Sequence, residues 1–246
     1  MLLATDIAPQ PDPRPSQSGP GWGLEHHLWS RGYARVAGVD EAGRGALAGP
    51  VVAAAVLLPY GPHPFNDSKK LSPKQRETMA AAIRGCALAW GVGFASAAEV
   101  DAHNVLQATH LAAGRALAAL REMSEVDALV TDFLRLGFGG PVASPPKADT
   151  LSLGVAAASI LAKTARDAYM TALGQADPRY GFAAHKGYGA PAHLRALAKH
   201  GPGAEHRLSF APVARARAPP EICRAHRRRL AAPPVPRGPH TGHRAR

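Results

Sequence analysis

Cysteine is scarce in this chain: Cys86 and Cys223 are the only two in 246 residues. They show no CxxC spacing and no accompanying histidine cluster of zinc-site form, which argues against a disulfide framework and against a structural zinc. Long hydrophobic runs are missing as well. The longest, Val51 to Pro59, falls far short of the roughly 20 residues that a bilayer span needs. The opening stretch MLLATDIAPQPDPRPSQSGP has no basic region followed by an apolar one, so no secretory signal is read there, and a reducing cytoplasm and no membrane contact are expected. There is no fixed-period repeat and no internal linker. Acidic residues are outnumbered, 18 Asp and Glu against 29 Lys and Arg, for a net charge of +11. From Ala214 onward nine Arg face a single acid, so that tail holds a surplus of eight and the remainder only three. A basic tail on a mildly basic body invites a polyanionic partner.

What is present is one patterned region between two Pro-rich ends. With 46% hydrophobic residues the chain can bury a substantial core in one domain. Residues 1–22 and 214–246 are expected to be disordered, and 23–213 to form the folded domain. Within it, Arg35 to Asp40 and Val51 to Leu58 predict a strand pair around the breaker Gly43-Arg44-Gly45. Ser72-Pro73 predicts the start of a helix to Cys86, and Leu88 to Ala95 predicts a third strand. Leu106, Thr109, Ala113, Leu117 and Leu120 recur at helical spacing and predict the buried face of a long helix over 98–120. Asp127 to Asp132 predicts a short strand. Thr150 to Leu173 predicts a second long helix that buries Val155, Ala158, Ala162, Ala165 and Tyr169. Strands and helices in this mixed order give the α/β class.

Four acids close ordered elements: Asp40 and Glu41 at the end of the first strand, Asp132 at the end of a later one, and Asp149 just ahead of the second long helix. Hard divalent cations are held by several such oxygens. Asp40 and Glu41 are adjacent, so on a regular strand they would point to opposite faces, and sharing an ion requires the backbone to twist there. Gly43 and Gly45 supply that freedom.

The blocks VDEAGRG, DSKKLS, DTLSLGVAAASILAKTARD, HKGYGAPAHLRALAKHGP and HRLSFAPV, in this order, resemble ribonuclease HII over roughly Arg35 to Val213. The resemblance implies the ribonuclease H fold, a five-stranded mixed sheet flanked by helices with a helical C-terminal extension. It implies hydrolysis of the RNA strand of RNA–DNA hybrids and incision at ribonucleotides embedded in DNA. The implied cofactor is Mg²⁺ or Mn²⁺, two ions held by Asp40, Glu41, Asp132 and Asp149, and the implied products carry 3′-hydroxyl and 5′-phosphate ends. Gly43, Arg44 and Gly45 fall where the family reads the ribose, and Tyr188 where it packs an aromatic ring on the neighbouring deoxyribose. The sequence departs from the family in GRGALAGP, which lacks the usual Pro after the second Gly, in TDFLRL around Asp132, and in Ala148 for a frequent Gly. Asp127 is the acidic alternative to Asp132 on the same strand. Ser68-Lys69-Lys70 could clamp a phosphate, but a Lys pair beside a helix start is usually a solvated turn and is left out of the site, while His185, His193, His200 and His206 read as structural or substrate-facing residues. A monomer is expected, with the Arg-rich tail adding DNA affinity or docking on a replication protein.

Overall fold

The computed structural model describes residues 19–217, apart from Asp67, Lys69, Lys70 and Phe133. Strand β1 (Val36–Ala42) and strand β2 (Val51–Leu57) pair antiparallel, with Asp40 opposite Ala54 and Glu41 opposite Ala53. Strand β3 (Ala89–Ala95) extends β2 antiparallel. Strand β4 (Ala128–Thr131) runs parallel to β1 on its other side, and the two-residue β5 (Val142–Ala143) lies beside it. The order β3-β2-β1-β4-β5 places β1 at the centre of a five-stranded mixed sheet.

Every residue of β2, VVAAAVL, is buried, as a strand covered on both faces must be. On one face helix α3 (Ala97–Arg121) lays Ala108, Ala112, Ala116 and Leu120 against Val39, Ala53 and Ala55. On the other, helix α2 (Pro73–Cys86) and helix α4 (Leu153–Ala176) set Ile83, Ala157, Ala158 and Leu161 against Ala54 and Val56. Alternating small residues let the layers close. A Cβ on Gly38 would sit 2.0 Å from the Gly154 carbonyl carbon, so the backbone of α4 crosses directly over β1. Asp40, two residues further along that strand, faces the same helix.

The helix starts follow the serines: Ser72 and Ser96 each form a capping box, with Gln75 and Glu99, and Ser152 caps α4. Two predicted faces shift phase. Leu106 is 45% exposed because Asn104 breaks α3 with φ 69° and ψ 164°, and its Oδ1 accepts from the N–H groups of Leu106 and Gln107 to restart the helix. The four later residues of that stripe are buried as expected. In α4, Tyr169 is exposed while Arg166 and Met170 are buried, since the second half of the helix leaves the sheet. There it packs against helix α5 (Phe182–His185), where Met170 joins Ala48, Tyr180 and Phe182. Helix α6 (Pro191–His200) and helix α7 (Ala211–Arg217) complete a helical C-terminal extension around Leu47, Leu197 and Val213. At the two ends of the described residues, Gly21 bridges Ser152, Trp22 is buried, and α7 runs to Arg217. Most of the two terminal segments, including the basic tail from residue 218, lies outside the described residues. No helix among those described is long and apolar enough to cross a membrane.

Helix α1 (Gly23–Trp29), which the sequence patterning did not indicate, buries Glu25. Its Oε1 accepts from Ser152 Oγ and from the Gly154 N–H at 3.2 Å, which ties α1 to the start of α4. Burial raises this carboxyl from 4.5 to about 7. A raised acid contributes its full share below the unfolded value and loses it as pH rises through the folded one. Unfolding of the wild-type chain should therefore become easier by about 3 kcal/mol from this group as pH climbs from 5 to 9. Glu25→Gln should flatten that slope in urea titrations, and an unchanged slope would assign the pH dependence elsewhere.

Candidate active site

Because β1 and β4 are parallel, their C-terminal ends emerge on the same edge of the sheet. Val39 lies beside Thr131 in the register, so the next residues, Asp40 still within β1 and Asp132 just past β4, lie abreast. Glu41 follows Asp40, and Gly43 turns the chain with φ +94°. These residues line one cavity of about 450 Å³ together with Arg44, Gly45 and Tyr188. Seven of the eight expected site residues thus meet in one place. The eighth, Asp149, is 2% exposed in the 3-10 turn Ala148–Thr150 and is not among the lining residues. The turn is fastened to the site all the same, through the Ala148 N–H that donates to Asp132 Oδ1 at 3.1 Å. Asp149 also stands further from α4 than its position in the sequence suggested, since Ser152 is the cap of that helix. Asp127, the alternative to Asp132, lies at the opposite end of β4, where Arg35 pairs with it at 3.0 Å and holds its carboxyl below the usual range.

Asp40 is 7% exposed. Its carboxyl is pushed well above the ordinary value, first by burial and then by the negative charge of Glu41, with a smaller contribution from Asp132. Hydrogen bonds from the Glu41 backbone and from Ser159 oppose the shift. Three carboxylates around one cavity therefore repel one another, and an all-oxygen, anionic donor set of this kind suits a hard divalent cation. Among the described residues, no three His, Cys, Asp or Glu side chains converge closely enough to make a ready-formed ion site. Further oxygens, from water or a phosphate, would have to complete the coordination. Arg44 Nη1 lies 3.2 Å from Glu41 Oε1 and offsets part of the charge at the rim.

Several contributors lay outside the expected site. Ser68, the described residue of the Ser68-Lys69-Lys70 turn, is buried, lines the cavity and shares a 2.8 Å hydrogen bond with Ser159. Lys163 lines the same cavity, 2.8 Å from Asp167 Oδ1 and 5.6 Å from the Tyr188 ring centre. Two buried arginines then hold the loops in place. Arg166 donates from Nε to the Pro50 carbonyl at 2.9 Å, from Nη2 to that of Ala48 at 3.1 Å and from Nη1 to that of Lys186 at 2.9 Å. Arg207 donates twice to Gly49 O and once, at 2.8 Å, to Arg44 O. Burial lowers Arg207 to about 10, which still leaves it charged at neutral pH. A Cβ on Gly43 would meet Arg166 Nε at 2.0 Å, so glycine is needed there for the approach as well as for the turn.

The sequence model of ribonuclease HII matches residues 37–213, a span that holds every element of this cavity. The chain belongs to the ribonuclease HII family. It is 55% identical over 193 residues to ribonuclease HII from a strain of Thermus thermophilus, covering 78% of this chain and 94% of that one. It is 50% identical over 188 residues to ribonuclease HII of Halorhodospira halophila, covering 76% and 96%. Among solved structures, ribonuclease H2 from Pyrococcus horikoshii OT3 superposes with a TM-score of 0.59 at 24% identity, over 74% of this chain and 97% of that one, which places the sheet and its helices in the same fold. As a ribonuclease HII the chain is an endoribonuclease of the ribonuclease H type, acting on RNA–DNA hybrids.

Proposed function

We infer that this ribonuclease HII also incises duplex DNA at embedded ribonucleotides, using two divalent ions, Mg²⁺ or Mn²⁺, held by Asp40, Glu41, Asp132 and Asp149, and that it leaves 3′-hydroxyl and 5′-phosphate ends. The reading rests on one observation: a cavity in which three of those carboxylates face a glycine-flanked turn and a half-exposed tyrosine. When bound, such ions supply a deprotonated water and charge stabilisation at the leaving oxygen. The acids position them, and their mutual repulsion favours a cation at this point. Gly43-Arg44-Gly45 presents backbone groups close to a sugar, and the 2′-hydroxyl is the local feature that separates ribose from deoxyribose. Tyr188 supplies a flat ring beside the same cavity for the deoxyribose next to the cut. Lys163, on the cavity wall, adds a positive charge suited to a phosphate.

The test is the ratio of two substrates. Tyr188→Ala should cut a single embedded ribonucleotide about ten- to a hundredfold more slowly, since aromatic contacts to nucleotides are worth about 1–3 kcal/mol. Uniform RNA–DNA hybrid offers no deoxyribose on the scissile strand and should lose less. Equal loss on both substrates would make Tyr188 a packing residue and remove the junction reading.

A further inference from the structure

Behind Tyr188 lie two histidines that the cleavage chemistry does not use. His193 is 0% and His206 2% exposed, and their hydrogen bonds fix where each proton sits. The Gly203 N–H donates to His206 Nδ1 at 3.0 Å, so that nitrogen is bare and the proton is on Nε2. His206 Nε2 faces His193 Nε2 at 3.0 Å and must be the donor. His193 is then protonated at Nδ1, which donates to the Tyr188 carbonyl at 2.9 Å. A single direction runs through both neutral rings, from Gly203 to Tyr188.

We propose that His206 and His193 form a positioning relay that fixes the main chain at Tyr188, and through it the stance of the ring that selects a single embedded ribonucleotide over uniform hybrid. The proposal rests on the junction-reading role of Tyr188 given above. The segment needs such support. Lys186 and Gly187 both have left-handed backbones, φ 53° and φ 80°, so no regular helix or strand holds Tyr188; its N–H reaches the His185 carbonyl at 3.0 Å, its carbonyl takes the Ala190 N–H at 2.8 Å beside His193, and Arg166 lies 5.2 Å from its ring centre. The far end of the relay is joined to the ribose-reading turn, because Arg207, next in the chain, donates to Arg44 O. The two substrate-reading elements thus share one buried support.

The surroundings keep the rings neutral. His185 stacks on His193 at 4.5 Å, and Tyr180 and Phe182 pack against His206. Burial, followed by the neighbouring His193, holds His206 down at about 4, against a smaller opposing pull from Asp177. His193 is likewise lowered by burial. A second proton on His193 would set N–H against N–H at the 3.0 Å contact with His206, and one on His206 would face the Gly203 N–H at 3.0 Å.

Two measurements test the relay. In the wild-type protein, two-bond nitrogen–proton NMR spectra should show His206 as the Nε2–H tautomer and His193 as the Nδ1–H tautomer; the reverse assignment overturns the relay without any variant having to fold. Cleavage of the two substrates should then be compared for His206→Leu, His206→Gln, Tyr188→Ala and the double variant. His206→Leu should lower the single-ribonucleotide to hybrid ratio about fivefold, the scale of one displaced hydrogen bond, and His206→Gln, which keeps a donor, should restore most of it. In the Tyr188→Ala background His206→Leu should leave the ratio where it is, because the relay acts through that ring. Equal loss on both substrates with no rescue by Gln would show a merely structural pair and overturn the proposal. If Tyr188→Ala lowers the ratio and His206→Leu does not, the relay alone falls. If Tyr188→Ala leaves the ratio unchanged, the junction reading falls and the relay's role with it.

Discussion

Asp40→Asn should abolish cleavage while making the metal-free protein harder to unfold. The two effects share a cause. Asp40 is buried beside Glu41 and near Asp132, and its charge is disfavoured enough to lift its carboxyl well above the ordinary value. A group shifted in that direction costs stability increasingly as pH rises above its unfolded value. The gain from asparagine should therefore be larger at pH 8 than at pH 5. Activity should fall at least about a thousandfold, roughly 4 kcal/mol at 1.36 per decade, because a neutral amide neither attracts nor offsets a divalent cation. Added Mg²⁺ or Mn²⁺ should raise the thermal midpoint of the wild-type chain and leave that of the variant nearly still, since only the wild type gains from binding in the folded state. A destabilised Asp40→Asn in metal-free buffer would show that the carboxylate is held by hydrogen bonds more than it is repelled.

Arg166→Ala should carry the largest stability loss of any single substitution considered, about 3–5 kcal/mol, the range for leaving buried groups without their charged partner. Three backbone carbonyls, of Ala48, Pro50 and Lys186, would lose their donor, and the loop behind Gly43 would lose the surface it packs on. Arg166→Lys should recover only part of this, because a single ammonium cannot reproduce a planar fork directed at three acceptors. Urea unfolding with an unchanged m-value is the measurement, and a loss below about 1 kcal/mol would mean that water replaces the guanidinium.

Two of the acids stood out in the sequence for a physical reason: a carboxylate is out of place in an apolar strand, and Asp40 and Asp132 each follow such a run directly. The antiparallel pair β1 and β2 and the cap Ser72 were legible on the same local grounds, whereas the caps Ser96 and Ser152 were not. The phase of α3 was not, because the Asn104 break resets the helical count by a conformation that no periodicity encodes. Strand β5 is two half-buried residues, too short for any pattern. Arg166 and Arg207 were hidden because arginine is ordinarily a surface residue; only the fold shows that each replaces a missing sheet partner for carbonyls of the turn between β1 and β2. Glu25 escaped for a similar reason, since a buried polar group is defined by a partner distant in sequence, 127 residues away for Ser152; His193 and His206 were noticed, but not that they pair.

The most direct test of the central claim is single-turnover cleavage by the wild-type enzyme of an end-labelled DNA duplex containing one ribonucleotide, with and without Mg²⁺ or Mn²⁺, followed by analysis of the product ends. The arrangement of Asp40, Glu41 and Asp132 around one cavity predicts incision at the ribonucleotide only when the divalent ion is present, with 3′-hydroxyl and 5′-phosphate ends. Incision in the presence of chelator that leaves a 2′,3′-cyclic phosphate, or an intact duplex under conditions where long hybrid is cut, would contradict it.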